Sequence, residues 1–312
     1  MSLFDPEPEP ASAPKRQRAP ATAHKADPGP PRPTGPLVRV RLVVAYDGAG
    51  FHGFAAQPGQ RTVGGVLAEA IGRAVRHPVE LVCAGRTDAG VHAWGQVVHL
   101  DVAAAAGKPS APAVDAGAVQ RACNRMLAPG VVVREAAVVP PAFDARRSAL
   151  ARRYRYTVLN RPLPDPFLAA TAWHVPEALD LRSMQLACDA FLGEHDFSTF
   201  CRRPQNGDAG DRLVRRVLDA RWSALADGVL RFEIEASSFC QQMVRAIVGT
   251  HVDVGRARKR AGDMSWIIRA RDRALAGSLA PPHGLCLWEV RYPEEAGTGA
   301  YQPGMSSTRN PA

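Results

Sequence analysis

The sequence predicts an α+β protein of two mixed domains, each with helices flanking its strands. Two periodicities carry that prediction. Alternating apolar and polar residues mark strands, and apolar residues three and four apart mark helices. Both patterns interleave through the two halves of the 312-residue chain, with a break near residues 140–150. A third observation bounds the folded part. Residues 1–36 hold ten of the 27 prolines and few large apolar side chains. Such a segment buries too little surface to offset chain entropy, so it is expected to be a disordered tail. Residues 294–312, rich in Gly, Pro and Ser, are expected to form a flexible second tail. The expected domains are therefore 37–145 and 146–293.

The elements follow in order. Val38 to Ala45 begins with period-2 alternation and reads as a strand. Thr62 to Arg76 places Val63, Val66, Leu67, Ala70, Ile71, Ala74 and Val75 on one helical stripe, with Thr62 as N-cap. Strand-like runs follow at Val79–Ala84, Gly95–Val102 and Val131–Val138. The second half opens with a strand at Arg152–Leu159 and a helix at Leu181–Leu192. Leu213–Trp222 and Val229–Ala236 are strands; in the latter, Leu230, Phe232 and Ile234 alternate with charge. A helix over Phe239–Val254 and a strand over Leu285–Tyr292 complete the set.

Composition narrows the class. Hydrophobic residues make up 46% and charged residues 22%, the balance of a globular protein. No apolar run approaches the roughly 20 residues that span a bilayer. The opening Met1–Pro10 is acidic and proline-rich where a signal peptide is basic and then apolar, so a cytoplasmic protein is expected. Lys and Arg number 39 against 30 acids, a net +9 that fits a polyanionic partner but equally fits plain solubility. The cysteines, Cys83, Cys123, Cys188, Cys201, Cys240 and Cys286, show no C-x-x-C pair and are expected to be reduced, mostly buried thiols.

Chemistry concentrates in Cys83-Ala-Gly-Arg-Thr-Asp-Ala-Gly-Val-His-Ala93. Gly85 and Gly90 mark a tight loop, and Asp88 stands between small residues that leave it accessible. Arg86 beside it favours the ionised carboxylate, a nucleophile or base at neutral pH. The same residues also fit a turn in which Asp88 caps backbone N–H groups and Arg86 is its surface partner. No phosphate-binding P-loop, dinucleotide fingerprint or serine-hydrolase elbow is present. Asp88, His92 and His99 have no recognised metal-ligand spacing.

Ala84-Gly-Arg-Thr-Asp-Ala-Gly-Val-His-Ala93 closely resembles the signature of the tRNA pseudouridine synthase A family. The resemblance continues in order through Tyr46-Asp-Gly-Ala-Gly-Phe-His-Gly53, Phe143-Asp-Ala-Arg146 and Arg153-Tyr-Arg-Tyr156. It ends with His195-Asp-Phe197, Phe239 to Gly249 and Gly284-Leu-Cys-Leu287. It implies the pseudouridine synthase fold, with largely antiparallel sheets and an active-site cleft between the domains. It further implies Asp88 as catalytic aspartate, with Arg86 adjacent, an active-site Tyr154 and a basic partner at Arg245. The implied substrate is tRNA, modified at uridines 38, 39 and 40 of the anticodon arm by a homodimer without metal or organic cofactor. A tRNA-binding protein on the same fold that lacks catalysis is the alternative.

The residues give these roles physical sense. Tyr154 and Tyr156 share one strand face, while Arg153 and Arg155 take the other. A tyrosine there can stack on uracil or simply pack a core. Arg245, set among Met243, Val244, Ile247 and Val248, needs a partner if buried, and Asp88 is the natural one. Among other basic groups, Arg147, Arg152, Arg202, Arg203, Arg215 and Arg216 included, Arg146 and Arg153 are the named candidates for RNA contact. Departures from the family pattern fall at Phe54, Ala55, Gly64, Asp144 and Arg147, and bear on tRNA docking rather than on the reaction.

Overall fold

A computed structural model describes residues 35–104, 114–202 and 213–293. The tails expected at either end lie almost wholly outside the described residues. In chain order the elements are β1 (Leu37–Tyr46), α1 (Val63–Val75), β2 (Val82–Cys83), β3 (His92–Ala103), α2 (Ala116–Leu127), β4 (Val131–Val138) and β5 (Ala151–Leu159). There follow β6 (Trp173–His174), α3 (Leu181–Cys188), β7 (Gly193–Asp196), β8 (Val214–Ala224), β9 (Val229–Ala236), α4 (Met243–Gly255), α5 (Met264–Ala270) and β10 (Leu285–Arg291). Short 3₁₀ turns punctuate the second half.

All the strands among the described residues belong to a single ten-stranded sheet. Its main path runs β4-β1-β3-β10-β5-β9-β8-β7, with β2 on β3 and β6 on β5. Pairing is antiparallel except at β10–β3 and β5–β6. The first-half and second-half strands meet at β3 and β10, where Cys286 lies opposite His92 and Leu287 opposite Ala93. The α+β class is as expected, and this junction seats the second half beside the Asp88 loop.

Alternation along the strands builds two apolar layers. Val98, Leu100 and Val102 of β3 face the large core with Val40, Leu42 and Val44 of β1. Val97, one residue out of step, faces a smaller cluster with Ala84, Val139, Phe143 and Ala145 on the other side of the sheet. Helix α1 packs on α2, α2 lies along β4, and α3 lies on β8 and α4. Thr62 caps α1 by accepting the Gly65 N–H, as its position predicts. On the expected stripe Val63, Leu67, Ala70 and Ile71 are buried, but Ala74 is exposed.

Several expectations need correction. The strand expected at 79–84 pairs only at Val82–Cys83 before the chain turns into the Asp88 loop. The strand after that loop starts at His92, three residues early, because β10 pairs there. The helix expected from Phe239 begins at Met243, since Gln242 takes the left-handed region at φ 66 and breaks helical continuity. The cysteines are not all free: Cys201 and Cys240 form a disulfide with Cα atoms 5.8 Å apart. A separation of 39 residues hides that pair in the sequence. Cys83, Cys123, Cys188 and Cys286 are free thiols, and burial pushes Cys123 up to about 11.

Candidate active site

The loop from Ala84 to Val91 is anchored along its backbone. Ala84 N–H donates to Val97 at 2.8 Å, and Val91 N–H donates to the Asp88 carbonyl at 3.2 Å. Phe54 N–H donates to the Thr87 carbonyl at 3.1 Å. Gly90 takes φ +76, which other residues resist, and Gly53 at φ +87 leaves room where a Cβ would stand 2.8 Å from the Thr87 carbonyl oxygen. Gly85, also expected to need unusual backbone freedom, is not among the glycines with positive φ.

Three regions converge on Asp88. The loop supplies Arg86 and Asp88, the turn after β1 supplies His52, Gln57 and Gln60, and the second half supplies Arg202, Gln241, Gln242 and Arg245. Together they line one cleft. Its wall includes the N-terminal end of α4, whose dipole favours anions. The Cys201–Cys240 disulfide borders that wall, one residue from Arg202 and one from Gln241.

The Asp88 carboxylate keeps 26% of its side-chain surface exposed, and its ion-pair partner is Arg245, with Nη1 to Oδ2 at 3.6 Å. Arg245 is held in turn by donation from Nε to the Ala280 carbonyl at 2.7 Å. The reading that paired Arg86 with Asp88 thus gives way to Arg245 among the described residues, and Arg86 instead lines the cleft. Tyr154 lies beneath, its hydroxyl 3.9 Å from where a Cβ on Gly85 would stand. Its ring packs edge-on against Phe239 at 5.0 Å. Burial, and then the nearby Asp88 charge, raise its pKa above the ordinary phenol value, so the hydroxyl stays protonated at neutral pH. Tyr156 is fully buried and donates to the Pro281 carbonyl at 2.8 Å, a packing role as expected.

The other arginines divide. Arg153 points to the opposite face of the sheet and pairs with Glu235 at 2.6 Å and Glu289 at 3.4 Å. Arg146 is exposed, near the start of the Asp88 loop, where the Arg152 guanidinium donates both to its carbonyl and to that of Ala84. Arg152, grouped with surface arginines on sequence, is buried instead. Arg203 lies outside the described residues.

Among the described residues no group of three or more His, Cys, Asp or Glu side chains is placed to hold a metal. His92 accepts the Gly48 N–H at Nδ1 and turns Nε2 to the Ala170 and His283 carbonyls. His99 accepts the Ala145 N–H at Nδ1. Both rings serve to join segments. No described helix is long and apolar enough to cross a membrane.

Sequence reasoning missed Gln96 and Tyr46, whose side chains hold the underside of the Asp88 loop. A signal existed for each: Gln96 is an amide inside the apolar run Gly95–Val98, and Tyr46 heads one of the matching blocks.

Comparison with known proteins identifies the family. Residues 187–293 match the tRNA pseudouridine synthase family. The tRNA pseudouridine synthase A of Leifsonia xyli is 41% identical over 280 residues, covering 85% of this chain and 96% of that protein. That of Frankia casuarinae is 41% identical over 266 residues, covering 84% and 92%. That of Methylobacterium nodulans is 43% identical over 261 residues, covering 83% and 98%. With such identity sustained over nearly the whole length of these relatives, the chain belongs to the tRNA pseudouridine synthase A family.

Proposed function

We propose that this chain converts uridine to pseudouridine at positions 38, 39 and 40 of the tRNA anticodon arm, with Asp88 as the catalytic carboxylate. Family membership makes it a tRNA-acting isomerase. The observation that carries the residue assignment is the partly exposed Asp88 carboxylate, 3.6 Å from Arg245 in a cleft lined by Arg86 and the start of α4. The reaction breaks the bond from ribose C1′ to uracil N1, turns the base and joins C1′ to C5. N1 gains a proton and C5 loses one, so no oxidant or second substrate is consumed.

Each residue has a role in that sequence. Asp88 acts on the ribose or the base as nucleophile or proton acceptor, and Arg245, paired with it at 3.6 Å, holds it aimed. Arg86 occupies the cleft beside it and supports the nucleotide when it leaves its stack. Tyr154, a neutral phenol, offers a ring to the uracil and a hydrogen bond from its hydroxyl, while the carboxylate takes protons. Arg146 and the cleft-lining Arg202 face phosphates; Arg153, already paired with two carboxylates, does not.

The functional unit is a cytoplasmic homodimer that engages one tRNA. Residues 37–145 and 146–293 act as its two lobes, a division supported by the parallel β3–β10 pairing at which their strands meet.

The test incubates the protein, with EDTA present, with an unmodified tRNA transcript carrying uridines at the three positions. Pseudouridine is mapped by carbodiimide labelling, and Asp88→Asn is run beside the wild type after its folding and tRNA binding are checked. Modification by wild type alone at those positions is expected. Binding without modification across several tRNA sequences refutes the catalytic reading and leaves a tRNA-binding protein.

A further inference from the structure

We infer that Gln96, Tyr46 and Thr87 form a buried hydrogen-bond relay that positions Asp88 and Arg86 for catalysis without touching the substrate. The inference rests on the reading of Asp88 as the catalytic carboxylate.

The relay starts on β3. Gln96 is fully buried, and its amide orientation is set from both ends. Its Oε1 accepts the Val97 N–H at 3.1 Å, and its Nε2 donates to the Gly85 carbonyl at 2.7 Å. A flipped amide would set oxygen against oxygen and N–H against N–H, so only one orientation works. The second Nε2 hydrogen faces the Tyr46 hydroxyl at 3.4 Å. Tyr46 ends β1 with only 4% of its surface exposed, and its hydroxyl lies 2.8 Å from Thr87 Oγ1. The Tyr46 hydroxyl thus links Gln96 to Thr87, and either hydroxyl of the Tyr46–Thr87 pair can be the donor.

The placement of these bonds distinguishes the relay from ordinary core packing. They grip the loop at Gly85 and Thr87, the two neighbours of Arg86, and Thr87 directly precedes Asp88. Arg86 and Asp88 turn into the cleft, while the Gly85 carbonyl and the Thr87 hydroxyl are held from the sheet. The Thr87 carbonyl is fixed separately by Phe54 N–H. Loss of the Tyr46 hydroxyl therefore leaves the loop folded but lets Thr87 turn, and Asp88 turns with it. Displacements near 1 Å at a reacting group reduce rates by up to about a hundredfold, so roughly a tenfold loss is expected from one relay bond.

The test measures single-turnover pseudouridine formation with enzyme in excess, normalised to tRNA-binding-competent protein, together with tRNA Kd and Tm. Tyr46→Phe and Thr87→Val are each expected to slow the step about tenfold, with Kd within about twofold of wild type. Because they break the same bond, the double variant should be no slower than the slower single variant. Thr87→Ser, which restores a hydroxyl, should recover most of what Thr87→Val loses. A Tyr46→Phe enzyme at the wild-type rate, or losses that multiply in the double variant, overturns the relay. Asp88→Asn run in parallel separates two failures. If it stays active, the reading of Asp88 falls and the relay with it. If it is inactive while Tyr46→Phe runs at full rate, the relay alone is refuted.

Discussion

Arg152→Met should cost the folded protein about 4 kcal/mol, and the number follows from its short hydrogen bonds to backbone carbonyls. The guanidinium sits at the start of β5 with 8% of the residue exposed. It donates to Arg146 at 2.6 Å, Ser237 at 2.7 Å, Ala84 at 2.9 Å and Ala149 at 3.3 Å. One side chain thus ties the 146–149 turn, the end of β9 and the entry to the Asp88 loop. Hydrogen bonds from a charged donor contribute roughly 1.5 kcal/mol each at the low end, and three short ones give about 4.5. Relief of guanidinium desolvation, the main cause of its lowered pKa, offsets a little of that. For a domain of this size, about 4 kcal/mol corresponds to a Tm lower by roughly 8–16 °C. Thermal and urea unfolding of wild type and variant measure it. A second readout addresses the alternative, in which Arg152 contacts a phosphate. That role would reduce the slope of log Kd for tRNA against log salt by about one, whereas the structure predicts an unchanged slope. A Tm within about 2 °C of wild type, or a shallower salt slope without lost stability, refutes the reasoning.

Two further outcomes are expected. Arg245→Met should lower the single-turnover rate on tRNA about a hundredfold, because it removes the cation 3.6 Å from Asp88 and the tether to Ala280; quench-flow with saturating enzyme checks this, and a near-wild-type rate contradicts the pair's importance. His251 is buried, accepts from Trp222 Nε1 at 2.9 Å, and is held by burial from its ordinary 6.5 down to about 3. The unfolded chain binds this proton first, so its contribution to stability is full above pH 6.5 and is lost as pH falls towards 3. Urea midpoints at pH 7.5, 5.5 and 4.5 should fall less steeply for His251→Gln than for wild type.

The legible parts of this chain are those whose information is local. The β9 strand, Val229–Ala236, has the bounds its alternation predicts, and Thr62 caps α1 because capping requires only the N–H three residues ahead. Helix α2 escaped notice because its buried face consists of Ala116, Val119 and Cys123, too small a stripe to stand out. The departure at Gly64 shows how tertiary packing hides in sequence. A Cβ there would stand 2.6 Å from the Phe54 carbonyl oxygen and 3.3 Å from its ring, so two departures that look independent share one contact. The Arg surplus misleads for a similar reason: Arg39, Arg153, Arg155, Arg221 and Arg291 all pair with acids. Net charge alone therefore does not locate an RNA surface.

Strand register explains why residues far apart in sequence form one site. Tyr46 lies opposite Ala93, Ala93 opposite Leu287, Leu287 opposite Tyr154, and Tyr154 opposite Ile234. All five belong to the same apolar layer, so the row is fixed by burial on one face. Each step across the sheet is about 4.8 Å, so the row carries Tyr154 to within two strands of the Asp88 loop. A one-residue slip of β5 against β10 would bring Arg153 or Arg155 to that face, burying a cation in the core and exposing the tyrosine. That arrangement is excluded twice, by the apolar row and by the Glu233 and Glu235 partners on the other face. The ion pairs on the opposite face therefore act at a distance: they help to fix the register that sets Tyr154 beneath the Asp88 loop.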